Sequence, residues 1–310
     1  NLMQILNQAT ISKNINFEGV GLHSGVTTMV KLLPAGENTG IVFKRVDLKN
    51  NNEIKANYKN VSSAKLCTTL TNSWGVSVST VEHLMAAFYI TGIDNILVEV
   101  DSTEIPIMDG SSKDFIDLIN KVGLKKQLAK KRYLKVLKKI ELNDENKKIS
   151  IEPNENTLKV NFQLSYENEI IGNQNNTVSF EEENLTEIYT SRTFCLFEDI
   201  ENIKKQGLAK GGSLNNAIVV NDKEVMNSEG LRNQNEFVNH KILDLAGDFL
   251  LSGYRIIGSV KCFQGGHQLS NSFLKEIFKD SSNFEEVRDN SSYISKKEFK
   301  NATNKIAVNA

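Results

Sequence analysis

Ser79-Thr80-Val81-Glu82-His83-Leu84-Met85-Ala86-Ala87-Phe88-Tyr89-Ile90-Thr91-Gly92-Ile93-Asp94-Asn95-Ile96-Leu97-Val98-Glu99-Val100 reads as a helix, a stop and a strand. Ser79 is a good N-cap, the pattern predicts a helix over 80–90, and Gly92 stands where helices commonly end. The segment 95–100 follows as a strand. Upstream, Val26-Thr27-Thr28-Met29-Val30-Lys31-Leu32 and Gly40-Ile41-Val42-Phe43-Lys44 alternate like short strands. Downstream, Asp109-Gly110 signals a tight turn, and a second helix is predicted over 112–122, closing at Gly123.

The composition then shifts to Lys125-Lys126-Gln127-Leu128-Ala129-Lys130-Lys131-Arg132, which reads as a solvated linker or edge. A domain boundary is expected there, dividing the chain into 1–126 and 127–275. The second half repeats the order of strands and then a long helix, predicted over 235–251 and ending at Gly253. No residue-level repeat accompanies that parallel. The polar stretch 276–310 is expected to be a loose tail.

A chain of 310 residues can bury a full core, and its net charge of −1 argues against a nucleic-acid partner. The cysteines Cys67, Cys195 and Cys262 form no CxxC pair, which suits a reducing compartment. No apolar run of about 18 residues is present, so no membrane insertion is expected. The N-terminus lacks the pattern of a signal peptide. A cytoplasmic protein, and a monomer, is the expectation.

Four histidines occur: His23, His83, His240 and His267. On the predicted helix His240 and Asp244 share a face one turn apart. An isolated pair of this kind is more often an ordinary surface pair. Glu82-His83 and Gly265-Gly266-His267 in the same chain shift the balance to a metal. Two histidines and a carboxylate leave a coordination position for water, and ligand type alone does not separate zinc from non-haem iron. Glu82 has a competing reading, because Ser79-Thr80-Val81-Glu82 matches a capping box. His267 is either a proton donor or a loop histidine bonded to backbone. Asp248 holds an imidazole from a second layer or is merely solvated. His23, in Gly19-Val20-Gly21-Leu22-His23-Ser24-Gly25, reads as a turn that contributes to substrate binding. Its glycines suggest a phosphate loop, but no Gly-Lys-Ser/Thr follows.

Taken in order, these segments resemble the zinc-dependent UDP-3-O-acyl-N-acetylglucosamine deacetylases that commit the lipid A pathway in Gram-negative bacteria. The matching pieces are Gly21-Leu22-His23-Ser24-Gly25, Leu66-Cys67-Thr68-Thr69, 79–87, Gly92-Ile93-Asp94-Asn95 and 104–111. Ser191-Arg192-Thr193-Phe194, Gly211-Gly212-Ser213, 240–248 and Gly265-Gly266-His267 complete the set. The likeness spans about residues 4–275.

The resemblance implies an α+β fold of two similar α/β sandwich domains packed with the active site between them. It implies one Zn2+ per chain on His83, His240 and Asp244, with Fe2+ as the alternative in the cell. Glu82 would be the general base, His267 the general acid oriented by Asp248, and Thr193 an oxyanion donor. Lys241 and Phe194 would contact the UDP-linked acylated amino sugar, and Leu66, Cys67 and His23 join the substrate-binding set. An insert at about 194–220 would form the acyl passage, lined by Ile200, Leu208, Gly212, Ser213 and Val219. Asn239 departs from the pattern, since the family often has arginine before the histidine ligand. The competing expectations are a zinc amidohydrolase for another acylated amine, or a binding module that keeps the fold without turnover.

Overall fold

The computed structural model describes residues 5–287. Six helices lie among them: α1 (Glu82–Thr91), α2 (Lys113–Val122), α3 (Thr186–Tyr189), α4 (Phe197–Lys205), α5 (Glu236–Leu250) and α6 (His267–Phe278). Two larger sheets accompany them, and the fold is α+β. The first has five strands in the order Ile15–Val20, Thr27–Pro34, Ile96–Val100, Ile41–Arg45, Glu53–Lys55. All its pairings are antiparallel except Ile41–Arg45 on Ile96–Val100, which runs parallel with Phe43 opposite Val98. The second sheet has seven strands and is organised on Arg255–Phe263. That strand pairs parallel with Tyr133–Val136 and Leu158–Ser165 and antiparallel with Lys147–Glu152.

The glycines read as stops act as stops. Gly92, Gly123 and Gly253 have φ of 88°, 80° and 78°, a left-handed range that costs a side chain more than it costs glycine. At the first, the Gly92 N–H donates to the Phe88 carbonyl and closes α1.

Helix α1 is buried from Glu82 through Tyr89, and α5 buries nearly its whole length. The two pack on each other at Gly247. A Cβ at that position would stand 2.2 Å from the Glu82 carbonyl oxygen and 3.0 Å from the Ala86 nitrogen. Leu84 and Phe88 of α1 are fully buried, each contributing about 1.5–3 kcal/mol to a helix that also buries Glu82 and His83. One hydrophobic cluster joins residues of both sheets with α1, α2, α5 and α6.

Three sequence expectations change here. Ser79 does not cap α1. The helix begins at Glu82 after Val81, whose side chain has no acceptor, and Thr80 turns left-handed with φ 59°. The basic run is a strand, Leu124–Lys130, antiparallel to Asn7–Ile11. The neighbouring Lys131 is only 7% exposed, paired with Asp94 and donating to the Gly92 carbonyl. The loose tail is ordered as far as 287. Phe284–Val287 adds antiparallel to Tyr133–Val136, and the Phe284 ring packs 5.3 Å from Phe278, which stacks on Tyr58. Residues 288–310 of that tail lie outside the described residues. Among the described residues no helix is long and apolar enough to cross a membrane.

Gly247→Ala is expected to force α5 off α1, because the added methyl meets backbone rather than a yielding side chain. Overpacking of this kind costs about 1–3 kcal/mol or more. Denaturant unfolding and divalent-metal content, measured together, are expected to fall together.

Candidate metal centre

The α1–α5 crossing brings three side chains to one point. His83 comes from α1, and His240 and Asp244 come from one face of α5. One ligand atom of each lies within 4.8 Å of the others, and all three are buried. His83 Nε2 stands 3.2 Å from Asp244 Oδ1, and His240 Nε2 stands 3.3 Å from Asp244 Oδ2. The two imidazole rings meet edge to face at 4.8 Å. His240 Nδ1 lies 2.9 Å from the Ser191 carbonyl, an acceptor that fixes a proton on Nδ1 and turns Nε2 inward as the atom available to a ligand.

These residues fit a divalent cation. His240 Nε2 and Asp244 Oδ1 are buried without a hydrogen-bond partner among the described residues, although buried polar atoms are normally paired. Two imidazoles and one carboxylate are also the donor set of open, catalytic zinc sites. Burial opposes a charge on Asp244, but His240, His267 and His83 around it hold its carboxyl well below the usual carboxylate range. Asp244 therefore stays anionic, as a ligand must.

A second group of side chains adjoins the first. Glu82 Oε1 stands 3.4 Å from His267 Nε2, while Glu82 Oε2 accepts the Thr68 N–H at 3.0 Å. His267 Nδ1 donates to Asp248 Oδ2 at 2.5 Å. The Thr68 hydroxyl donates to the other Asp248 oxygen at 2.7 Å. Glu82 thus spends its carboxylate on Thr68 and His267 rather than on a capping box. His267 is not a loop histidine bonded to backbone, since it opens α6 and faces three carboxylates. Asp248 is 3% exposed and so not merely solvated.

The electrostatics separate the roles available to these groups. Burial raises the Glu82 pKa, with His267 and His83 opposing. Burial works against a charged His267, yet Asp248, Glu82 and Asp244 push its pKa up to about 10. The Cys67 thiol is pushed up to about 11 by burial and by the Glu82 charge. It is therefore a neutral thiol rather than a standing thiolate nucleophile.

The remaining sequence candidates lie around this core. Thr193 donates its N–H to the Gly110 carbonyl at 2.8 Å and stands two residues from the Ser191 carbonyl that orients His240. Phe194 is half-buried on Phe237, ring centroids 5.0 Å apart, and Lys241 Nζ lies 5.8 Å from the Phe194 ring centroid. The insert is a parallel pair, Phe194–Leu196 with Ile218–Val220, enclosing α4. Within it Ile200, Leu208 and Gly212 are half-buried, Ser213 is exposed, and Val219 is buried. Leu66 is exposed beside Cys67. His23 lies apart from the metal cluster: its Nδ1 accepts the Ala209 N–H at 3.2 Å. Burial lowers its pKa against the charge of Glu104, so the ring is neutral. Sequence reading missed Thr68 as a site residue. Its only signal is its place in Leu66-Cys67-Thr68-Thr69.

The molecule is thus an α+β protein with a buried two-histidine, one-carboxylate centre flanked by a carboxylate and a histidine–aspartate pair. A profile of the UDP-3-O-acyl N-acetylglycosamine deacetylases matches residues 8–279, and the chain belongs to that family. It is 40% identical over 296 residues to the UDP-3-O-acyl-N-acetylglucosamine deacetylase of Wigglesworthia glossinidia brevipalpis, covering 94% of this chain and 99% of the relative. The enzyme of the same name from Legionella pneumophila (strain Corby) is 43% identical over 276 residues, covering 88% and 90%. That of Actinobacillus succinogenes is 42% identical over 279 residues, covering 89% and 91%.

Thr68→Val removes the hydroxyl bond to Asp248 and keeps the backbone bond to Glu82. Outer partners of this kind are worth about 10–100-fold. Deacetylase kcat is expected to fall by about that factor with metal content unchanged, and Thr68→Ser to restore it. Wild-type kcat in Thr68→Val would show that the hydroxyl is idle.

Proposed function

We propose that this chain hydrolyses the acetamide of UDP-3-O-(3-hydroxyacyl)-N-acetylglucosamine to acetate and the free amine, the committed step of lipid A biosynthesis. One Zn2+ on His83, His240 and Asp244 is the cofactor, with Fe2+ the alternative occupant. The observation that carries the reading is the placing of Glu82 and His267 3.4 Å apart beside the three-ligand cluster. An amide needs both a base and an acid, because its nitrogen leaves only when protonated. When bound, the metal supplies Lewis-acid polarisation of the acetamide carbonyl and acidifies nearby water.

The chain's own groups do the rest. Glu82 Oε1 takes the proton of the attacking water. The Thr193 hydroxyl donates to the developing oxyanion, a contact worth roughly 3 kcal/mol when well aimed. His267 Nε2 gives its proton to the departing amine, and Asp248 holds the imidazolium that makes this possible. Lys241 and Phe194 form the edge for the nucleotide-sugar, a reading supported by the cation lying over the half-buried ring. The acyl passage is assigned to the 194–220 insert, supported by its half-buried Ile200 and Leu208. Residues 1–126 and 127–275 are assigned as the two sandwich domains. The division is supported by the five-stranded sheet lying before the boundary and the strands Tyr133–Val136 through Arg255–Phe263 of the seven-stranded sheet after it, while Leu124–Lys130 crosses the boundary to pair with Asn7–Ile11. Three free cysteines support a reducing, cytoplasmic setting.

Acetate release from the acylated UDP-sugar is expected to vanish on chelation and return with one equivalent of zinc. Glu82→Ala is expected to retain zinc and lose about 10²–10⁴-fold in turnover, whereas Asp244→Ala is expected to lose the metal. Equal zinc loss in both would make Glu82 structural.

The pH profile follows from the shifts. Glu82 must be ionised and its pKa is raised, so activity is expected to fall with acid above the ordinary carboxylate range. His267 must be protonated and its pKa lies at about 10, so activity is expected to fall again as pH rises through that region, earlier when a cation lies beside it. Asp248→Asn removes the leading cause of the upward shift and is expected to move the alkaline limb to lower pH. A flat profile from about pH 5 to 10 contradicts the acid–base assignment.

A further inference from the structure

Glu104 takes no part in the proposed chemistry, yet it is 2% exposed and its carboxylate is fully used. It accepts the His23 N–H at 3.1 Å, the Ser24 N–H at 2.8 Å and the Thr80 hydroxyl at 2.7 Å. The backbone locks the same place: the Ile105 N–H donates to the Ser79 carbonyl, and the Ser79 N–H donates to the Thr103 carbonyl. A buried carboxylate with this many donors is costly to place and is held by all of them.

Its two sets of partners lead in different directions. Thr80 is a β-branched residue with φ 59°, a conformation that persists only where neighbours hold it. It stands two residues before Glu82 and three before His83, so the Glu104–Thr80 bond fixes how the chain enters α1. The loop on the other side holds the insert. The His23 ring accepts the Ala209 N–H, and the Leu22 and His23 carbonyls accept the N–H groups of Gly211 at 3.0 Å and Lys210 at 3.3 Å. The fit is tight: a Cβ on Gly211 would stand 2.2 Å from the Gly21 carbonyl oxygen, and a Cβ on Gly21 would stand 2.3 Å from Glu104 Oε1.

We infer that Glu104 is a positioning residue that joins the seat of the 194–220 insert to the entry of α1, so that acyl-chain recognition and the placing of Glu82 share one buried anchor. The inference rests on the assignment of that insert as the acyl passage. It also gives the Gly21-Leu22-His23-Ser24-Gly25 motif a purpose, as the socket for residues 209–211.

The test compares kcat and KM of the zinc enzyme on the acylated UDP-sugar and on the same sugar lacking the 3-O-acyl chain. Glu104→Gln keeps the volume but turns an N–H toward the donors of the loop or of Thr80. It is expected to lower kcat on both substrates and to reduce the preference for the acylated one by about ten-fold, with zinc content unchanged. Thr80→Val cuts only the bond toward α1 and is expected to lower kcat on both substrates while keeping the preference. Gly211→Ala lifts the insert from its socket and is expected to lose the preference while keeping turnover of the chain-less sugar. A purely structural Glu104 predicts parallel loss on both substrates in Glu104→Gln and in Gly211→Ala, and that result, or a full preference in Glu104→Gln, overturns the inference alone. A wild-type enzyme indifferent to the acyl chain overturns the passage assignment, and the inference with it.

Discussion

The centre depends on the approach of α5 to the first turn of α1 at Gly247. With no side chain there, the two backbones come close enough for His83 and Glu82 on one helix to share space with His240, Asp244 and Asp248 on the other. A side chain there would meet the Glu82 carbonyl and push apart the three side chains of the candidate cluster. Both helices are buried on nearly all sides, so neither can rotate to compensate. Dense interiors pass such a displacement on rather than absorbing it.

That contact also gathers three carboxylates and three imidazoles in a buried volume, where each charge is costly unless paired. The pairing is unequal, and the inequality separates the roles. Asp244 lies among His240, His267 and His83 and keeps its charge. Glu82 is buried with Asp244 and Asp248 as like-charged neighbours, and its proton affinity rises. Two carboxylates in one cluster are thereby split into a permanent anion suited to a cation and a basic group suited to taking a proton. Asp248 gives both oxygens to hydrogen bonds, one to His267 and one to Thr68, and so serves the imidazole rather than a metal.

Much of this was legible in the sequence, because its signals are local. The helix ends at Gly92, Gly123 and Gly253 follow from backbone freedom at single residues, and His240 and Asp244 follow from helical spacing. What was misread depends on contacts distant along the chain. The capping box at Ser79 fails because Thr80 is left-handed, with its hydroxyl committed to Glu104, and because Glu82 finds Thr68 instead. Lys131 looked like part of a solvated run, yet Asp94 gives it a buried partner. Phe284–Val287 looked like loose tail, since short polar strands are specified by the edge they join, in this case Tyr133–Val136. Thr68 was passed over because threonine carries no titratable group, and its importance lies in which two carboxylates it touches.

Asn239 shows how the same centre tolerates a departure from the arginine expected before the histidine ligand. It is 1% exposed, one residue from His240, in a place where a lone cation would be expensive and would oppose a metal beside it. Its amide is committed instead. The oxygen accepts from Asn176 at 2.7 Å, and the nitrogen donates to Asn233 at 3.1 Å. Asn233 also donates to the Ser191 hydroxyl at 3.2 Å, on the residue whose carbonyl orients the His240 ring. A chain of neutral amides therefore connects this position to the tautomer of a ligand. Hydrogen-bond geometry thus supports the His240 ring from this position without placing a charge beside the three-ligand cluster.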